Sequence, residues 1–166
     1  ATTSVQANNI TNVGEITTPT VKANAELSNA ENATITATNG SITVGANLTN
    51  AGEITSDTVL ATGDLSNDGI LNATTSVQAN NITNVGEITS DTVLVTGDLT
   101  NNGNLNATTS VEATNITNSG EITTPTVKAN GELTNAENAT ITATNGSITV
   151  GTNLTNDGTL STKTIT

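Results

Sequence analysis

The side chains of this sequence that are best suited to acid–base or metal chemistry are its carboxylates. The chain has 15 Asp and Glu residues and 3 lysines, and it contains no His, Cys, Tyr or Arg. Nucleophile–base pairs and transition-metal sites normally depend on those absent residue types. What remains open to carboxylates is proton sharing within a close pair, or the binding of Ca²⁺ between neighbouring acids. Two sets of acids recur at regular intervals: Glu15, Glu53, Glu87 and Glu121, and Glu26, Asp64, Asp98 and Glu132.

These acids belong to a phrase that the chain repeats. The stretch LTNAGEITSDTVLATGD runs from Leu48 to Asp64, and a near copy, ITNVGEITSDTVLVTGD, runs from Ile82 to Asp98. We define the start of each repeat unit as the aliphatic residue before a Thr-Asn or Ser-Asn pair. Successive units are then 17 residues long, except for two units of 21 residues. The starts are Ile10, Leu27, Leu48, Leu65, Ile82, Leu99, Ile116, Leu133 and Leu154. A fixed period of this kind is typical of a repeat architecture.

The composition predicts a narrow interior. Phe, Trp, Tyr and Met are absent, whereas ordinary globular cores rely on aromatic side chains for bulk. A disordered chain is the alternative, because low hydrophobicity and a net charge of −12 favour disorder. Against disorder, Ile, Leu and Val fall at fixed intervals, and only 11% of the residues are charged. Periodic aliphatic residues indicate repeated burial, so we expect a folded chain.

Each 17-residue unit carries three short strands. In Ile10–Glu26 the aliphatic residues have polar neighbours, as Ile16 has in Glu15 and Thr17. This alternation with period 2, together with the abundance of Thr, Ile and Val, predicts strands that are buried on one face. Turn-forming stretches such as NVGE and TTPT separate the strands. No apolar stripe with a 3.6-residue period exists, so helices are not expected.

Three strands and three corners per unit predict an all-β fold, a single-chain parallel β-helix (β-solenoid) in which each unit is one coil. Residues 1–166 would form one such domain of about nine coils without a capping helix, and a rise of about 4.8 Å per coil would make a rod of about 40 Å. In the longer unit Leu27–Asn47 the added residues fall in two corners, NAENAT and TATNGS, and leave the strands intact. Pro19 and Pro125 also fall at a corner, where proline costs no ladder hydrogen bond.

Asparagine occupies the third place of every unit. These residues are Asn12, Asn29, Asn50, Asn67, Asn84, Asn101, Asn118, Asn135 and Asn156. Alternation points them inward, where stacked amides can bond coil to coil and satisfy backbone groups at the bend. A row of ligand-binding amides is the alternative interpretation. Glycine follows two places later in most units, as in Gly52 and Gly86, which predicts a positive φ or a close backbone approach.

The charge and the spacing of the acids exclude several functions. Three lysines without arginine cannot neutralise a phosphate backbone or bind an anionic membrane, and no apolar run is long enough to span a bilayer. The acids of each set recur mostly on every second coil, about 10 Å apart, which is too far to share a proton. We therefore predict that the chain is not an enzyme, has no catalytic, cofactor-binding or metal-binding residues, and presents an acidic, solvated surface. Calcium that bridges the two sets stays an alternative, although no Asp-x-Asp-Gly loop occurs.

Leu60 and Leu94 are the candidates for contact with another molecule. Alternation points both outward, two coils apart, so the aligned pair predicts a lateral contact. The chain also begins and stops in mid-coil, which predicts either a segment of a longer fibre or subunits that stack end to end through open strand edges. Outward threonines suggest ice binding, but residues such as Lys22 interrupt the flat row that it needs. Eleven Asn-x-Ser/Thr sequons leave glycosylation open.

The motif LTNxGEI, with Asn and Gly spaced as in Asn50–Gly52 and Asn101–Gly103, resembles the repeats of filamentous-haemagglutinin-type adhesins and autotransporter passenger domains. That resemblance implies a right-handed β-helix that is extracellular, displayed on a cell surface and engaged in attachment, and it carries over no binding residue. We expect a structural solenoid that forms the shaft of a surface adhesin or a self-assembling filament. One alternative is an adhesive module that recognises glycans or another cell surface. The other is a trimeric shaft like those of Thr/Asn/Gly-rich phage fibres.

Overall fold

The chain winds as a coil of parallel strands. A computed structural model describes residues 4–166, and every regular element in that range is a β-strand. In chain order the strands are β1 Val5–Ala7, β2 Ile10–Asn12, β3 Glu15–Thr17, β4 Thr20–Ala23, β5 Leu27–Asn29, β6 Thr34–Val44, β7 Leu48–Asn50, β8 Glu53–Ala61, β9 Leu65–Asn67, β10 Ile70–Ala79, β11 Ile82–Asn84, β12 Glu87–Val95, β13 Asp98–Asn101, β14 Asn104–Ala113, β15 Asn115–Asn118, β16 Glu121–Thr123, β17 Thr126–Ala129, β18 Leu133–Asn135, β19 Thr140–Val150, β20 Leu154–Asn156 and β21 Thr159–Ile165. Each strand pairs in parallel with its equivalent in the next coil. The predicted all-β parallel solenoid of about nine coils is confirmed; residues 1–3, which the prediction included, lie outside the described range.

One ladder of nine strands runs along the length of the solenoid. It consists of β2, β5, β7, β9, β11, β13, β15, β18 and β20. The aliphatic residue that begins each unit lies in register with its counterparts, so that Leu27 pairs with Ile10 on one side and with Leu48 on the other. In each strand an outward Thr or Ser stands between the inward aliphatic residue and the inward asparagine. The predicted winding, one turn per repeated phrase, follows directly from this register.

The other two strands of each coil belong to one large sheet. In the coil of Pro19 they are separate, as β3 and β4, because proline has no N–H to donate and interrupts the strand at the corner. The coil of Pro125 is divided in the same way, into β16 and β17. Elsewhere they run together as one bent strand such as β8, in which burial alternates up to Ser56 and restarts at Val59. The predicted strands are present, but two of the three are continuous wherever the corner lacks proline.

The corners absorb the difference between short and long coils. Strands β6 and β8 change register between Ala37 and Ser41, where β6 carries the extra residues of its corner, and Ile42 is again in register with Val59. The predicted placement of the additions in corners is confirmed. Four asparagines in these longer corners adopt the left-handed backbone conformation that Asn tolerates well: Asn32, Asn39, Asn138 and Asn145.

A buried hydroxyl closes the bend of the large sheet in alternate coils. Ser56, which is 2% exposed, shares its one hydroxyl proton between the carbonyl oxygens of Thr58 (2.9 Å) and Gly40 (3.0 Å). In the coils on either side the same column holds Ala37 and Ala73. The corners that follow these alanines are longer than the one that follows Ser56. The residue type in this column therefore varies with the length of the corner.

The interior is a narrow aliphatic column. Leu48, Ile54 and Val59 come from the three strands of one coil, and all three are fully buried. Their equivalents in the interior coils are buried as well. Because one coil is too thin to enclose its own apolar residues, each coil buries them against its neighbours, and stability is shared along the stack.

Glycines at the first corner are required by the close approach of successive coils. A Cβ atom on Gly86 would lie 2.0 Å from the carbonyl oxygen of Gly69, whereas at Gly14 nothing lies within 4 Å. No glycine in the described residues has a positive φ. Of the two reasons predicted for these glycines, the close backbone approach is therefore correct and the positive φ is wrong.

Candidate functional site

The inward asparagines form one continuous hydrogen-bonded row, which we call the amide row. Each side-chain amide donates to the side-chain oxygen of its counterpart in the next coil; from Asn84 to Asn101 the Nδ2–Oδ1 distance is 2.8 Å. The row comprises Asn12, Asn29, Asn50, Asn67, Asn84, Asn101, Asn118, Asn135 and Asn156, with every such distance between 2.8 and 2.9 Å. All except Asn156 are at most 5% exposed. The predicted coil-to-coil amide ladder is confirmed.

Each amide of the row also binds the backbone of the corner. Nδ2 of Asn84 donates to the carbonyl oxygens of Gly86 (3.2 Å) and, in the next coil, Asn104 (2.9 Å). Its Oδ1 accepts from Nδ2 of Asn67 at 2.8 Å. Among the described residues no buried side-chain nitrogen or oxygen lacks a partner. An amide row with its donors and acceptors already engaged favours the structural interpretation over a row of ligand-binding amides.

The second set of acids alternates with asparagines that the sequence analysis did not single out. Asn81 lies between two of the acids: its Nδ2 donates to Asp64 at 2.8 Å, and its Oδ1 accepts from the backbone N–H of Asp98 at 2.8 Å. The same column reads Asn9, Glu26, Asn47, Asp64, Asn81, Asp98, Asn115, Glu132 and Asn153 along the chain. The sequence signal for it is the residue immediately before each unit, which is an amide and an acid in turn.

The first set of acids is interrupted in the same way. The strand register places Thr34 between Glu15 and Glu53, and Ile70 and Asn104 separate the later glutamates. Like charges in adjacent coils would be about 4.8 Å apart, where their repulsion in water is about 0.9 kcal/mol; doubling the spacing halves it. The alternation lowers this repulsion along the column and leaves a surface of separate, solvated carboxylates.

Neither set of acids assembles a cation site in the described structure. Within residues 4–166 no group of three or more acidic side chains is placed so that it could hold a metal ion. Individual carboxylates are engaged by neighbouring hydroxyls instead, as Asp57 is by Thr74 (3.1 Å) and Glu87 by Thr89 (3.3 Å). Isolated carboxylates of this kind offer a cation fewer oxygen ligands than Ca²⁺ usually takes in proteins.

An ion pair joins Lys128 to Glu112 across two adjacent coils, with an Nζ–Oε1 distance of 2.7 Å. Asn130 also donates to Oε1 of Glu112, at 3.1 Å. The hydrogen bond from Lys128, followed by that from Asn130, lowers the pKa of Glu112 below its ordinary value. Both partners of the ion pair are well exposed to solvent, so screening keeps its contribution to stability small.

Leu60 and Leu94 point outward as predicted, with exposed fractions of 39% and 40%. Gln78 lies between them in the intervening coil, in register with both. Together with residues of the adjoining corner, these three side chains line a shallow depression of about 180 Å³.

These features define a class, a single-chain parallel β-solenoid held together by a buried amide row. No protein-family model matches the chain, and no curated protein and no solved structure matches it either. The likeness to filamentous-haemagglutinin-type adhesins therefore depends on the repeated motif alone. A membrane-spanning helix is not found among residues 4–166.

Proposed function

We propose that this chain is a structural rod: an extracellular, non-enzymatic β-solenoid that serves as the shaft of a surface adhesin. The observation that supports the proposal best is the amide row, which passes without a break through nine coils. A shaft has to resist bending and stretching. In this solenoid each coil is bonded to the next by backbone ladders along its strands and by the amide row inside.

The surface of the rod suits a spacer. Its outward columns consist mainly of short polar residues and acids, and the acids are spaced so that they repel one another little within a rod. A strongly negative surface keeps separate rods apart in solution. The proposed extracellular location rests on the resemblance of the repeated motif to those of surface adhesins.

A filament built by end-to-end stacking is the second candidate. Successive coils pair through continuous parallel ladders. The same pairing between two copies of the chain would extend the rod, because an open strand edge can pair with another chain.

Electron microscopy of the purified chain over a wide concentration range, combined with limited proteolysis, tests both candidates. The shaft predicts protease-resistant rods about 40 Å long whose length does not change with concentration. Long filaments at high concentration would support end-to-end stacking. Compact round particles, or rapid digestion throughout the chain, would refute both. Specific binding of the isolated chain to a glycan array would instead favour the adhesive module.

A further inference from the structure

One face of the rod differs from the others in charge. We define the Lys22 face as the two outward columns of the strands that follow the second corner. The first of them, which we call the outer column, holds the outward residue between the last two inward residues of each strand. It contains Gln6, Lys22, Thr43, Leu60, Gln78, Leu94, Glu112, Lys128 and Thr149. The column beside it contains only small hydroxyl residues, from Thr20 through Ser41, Thr58, Ser76, Thr92, Ser110, Thr126 and Ser147 to Thr164.

The charges of the Lys22 face nearly cancel, whereas the rest of the rod is strongly negative. The face carries two of the three lysines, Lys22 and Lys128, and one acid, Glu112, which give a net charge of +1. The remaining lysine and 14 acids of the chain give −13 on all other surfaces. Two rods that turn their Lys22 faces toward each other therefore avoid the strong repulsion that two acidic surfaces would meet.

The outer column is nearly symmetric about Gln78. Leu60 and Leu94 lie one coil away from it on either side. Lys22 and Lys128 lie three coils away on either side. An antiparallel pair of rods with its two-fold axis at Gln78 therefore sets each leucine of one copy opposite a leucine of the other. It also sets Lys22 of one copy opposite Lys128 of the other, and Glu112 opposite an uncharged residue, Thr43.

A parallel pair is less favourable. It would keep two lysine–lysine contacts, as the antiparallel pair does, and would add a contact of Glu112 with Glu112; like charges placed opposite each other are destabilising. In the antiparallel pair Glu112 instead lies within one coil of the partner's lysine as well as of its own, Lys128.

We propose that two copies of this chain associate through their Lys22 faces, antiparallel, with Leu60 and Leu94 packed at the centre around Gln78. This goes beyond the proposed role as a rod, which does not depend on it. The face measures about 40 Å by 15 Å, or about 600 Å² on each copy, so the contact is at the lower end of specific interfaces. The dimer is accordingly weak and forms at high protein concentration or where rods are held side by side.

Sedimentation velocity over a range of concentrations tests the association. The double variant Leu60→Gln, Leu94→Gln should raise the dimer dissociation constant at least tenfold, and Gln78 shows that the column accepts glutamine. The matched control is Ile70→Asn, since Ile70 is 42% exposed on a different face and its column accepts Asn104. That control should leave the dissociation constant unchanged.

Cysteine cross-linking tests the geometry, because the chain has no cysteine of its own. In the antiparallel dimer Gln78→Cys places two thiols at the two-fold axis, and mild oxidation should link the copies. Thr43→Cys should not link, because the two thiols would lie four coils, or about 19 Å, apart, well beyond disulfide reach. The double variant Thr43→Cys, Glu112→Cys should link again.

Three results would overturn the proposal. A chain that stays monomeric at the highest attainable concentration has no such contact. Efficient linking of Thr43→Cys alone would indicate a parallel pair. If Ile70→Asn weakened association as much as the leucine double variant, the Lys22 face would be packing against the acidic face of a second copy. None of these results would alter the rods seen by electron microscopy, so the failure of the dimer is distinguishable from the failure of the rod.

Discussion

Replacing Asn84 with alanine tests the amide row at its centre. In the folded chain the Asn84 side chain accepts a hydrogen bond from Asn67 and donates one to Asn101. It also donates to the backbone carbonyls of Gly86 and Asn104. Alanine removes all of these bonds and deprives the side-chain oxygen of Asn101 of its donor. The Gly86 carbonyl keeps a hydrogen bond from the Asn104 N–H, so the cost falls mainly on the row itself.

The expected loss is large for one polar residue. A buried acceptor without a partner costs about 1–3 kcal/mol, and each lost hydrogen bond costs about 1 kcal/mol net. Because Asn84 is 0% exposed, water has no direct access to replace the amide. We count about 1 kcal/mol for each of the bonds to Asn67 and Asn104 and about 1 kcal/mol for the unpaired Asn101 oxygen, so the free energy of unfolding should fall by about 3 kcal/mol. Asn84→Asp, which is nearly isosteric, should cost at least as much at neutral pH and less at acidic pH, where a protonated carboxyl can donate.

Urea unfolding followed by far-UV circular dichroism measures this loss, since the chain has no Trp or Tyr for fluorescence. At a slope of about 2 kcal/mol per molar urea, 3 kcal/mol lowers the midpoint by about 1.5 M. Asn102→Ala is the matched control, because Asn102 is exposed beside the row and should change stability by less than about 0.5 kcal/mol. Asn156→Ala, at the exposed end of the row, should cost about 1 kcal/mol.

Equal urea midpoints and slopes for Asn84→Ala and Asn102→Ala would refute the reasoning. The amide row would then add nothing to stability, and the backbone ladders and aliphatic column would have to hold the rod together. Equal losses at Asn84 and Asn156 would show that burial does not set the cost of breaking the row.

Three further predictions follow from the corners and the charges. Gly86→Ala should unfold at a much lower urea concentration than wild type, because its Cβ would lie 2.0 Å from the Gly69 carbonyl oxygen. Gly14→Ala is the control and should leave stability unchanged, since nothing lies within 4 Å of a Cβ at that position. Equal effects of the two variants would contradict the close-approach explanation. Glu112→Gln should cost at most about 0.5 kcal/mol at pH 7. The hydrogen bond from Lys128 lowers the pKa of folded Glu112. The stabilisation is therefore fully present above the ordinary carboxyl pKa and is lost as the pH falls through the lowered pKa. Thermal melts of wild type and Glu112→Gln at about pH 2 should coincide. Thermal melts with CaCl₂ or EDTA should coincide, since no group of acids in residues 4–166 is arranged to hold a metal ion; a clear rise in melting temperature with CaCl₂ would show that such a site exists.

The strand positions could be predicted because a solenoid repeats its environment once per coil. Leu27, Leu48 and their counterparts meet the same neighbours, so the same residue type recurs at a fixed spacing and exposes the period. The amide row could be predicted for the same reason. The asparagines beside the second set of acids, such as Asn81, were not predicted. Their column alternates between an amide and an acid, so no single residue type recurs in it once per unit.

The order of residues along the chain was enough to predict the winding: its period, its strands and corners, the inward asparagines, and the outward Leu60 and Leu94 in one column with Lys22. These follow from alternation and spacing, which are properties of residue order along one chain. The folded structure was needed to decide which explanation held for the glycines, how asparagines such as Asn81 bond to the acids on either side, and where two strands run together. Those outcomes depend on which groups of different coils come within contact distance. That distance is set by the path of the backbone round each corner, and the order of residues along the chain does not contain it.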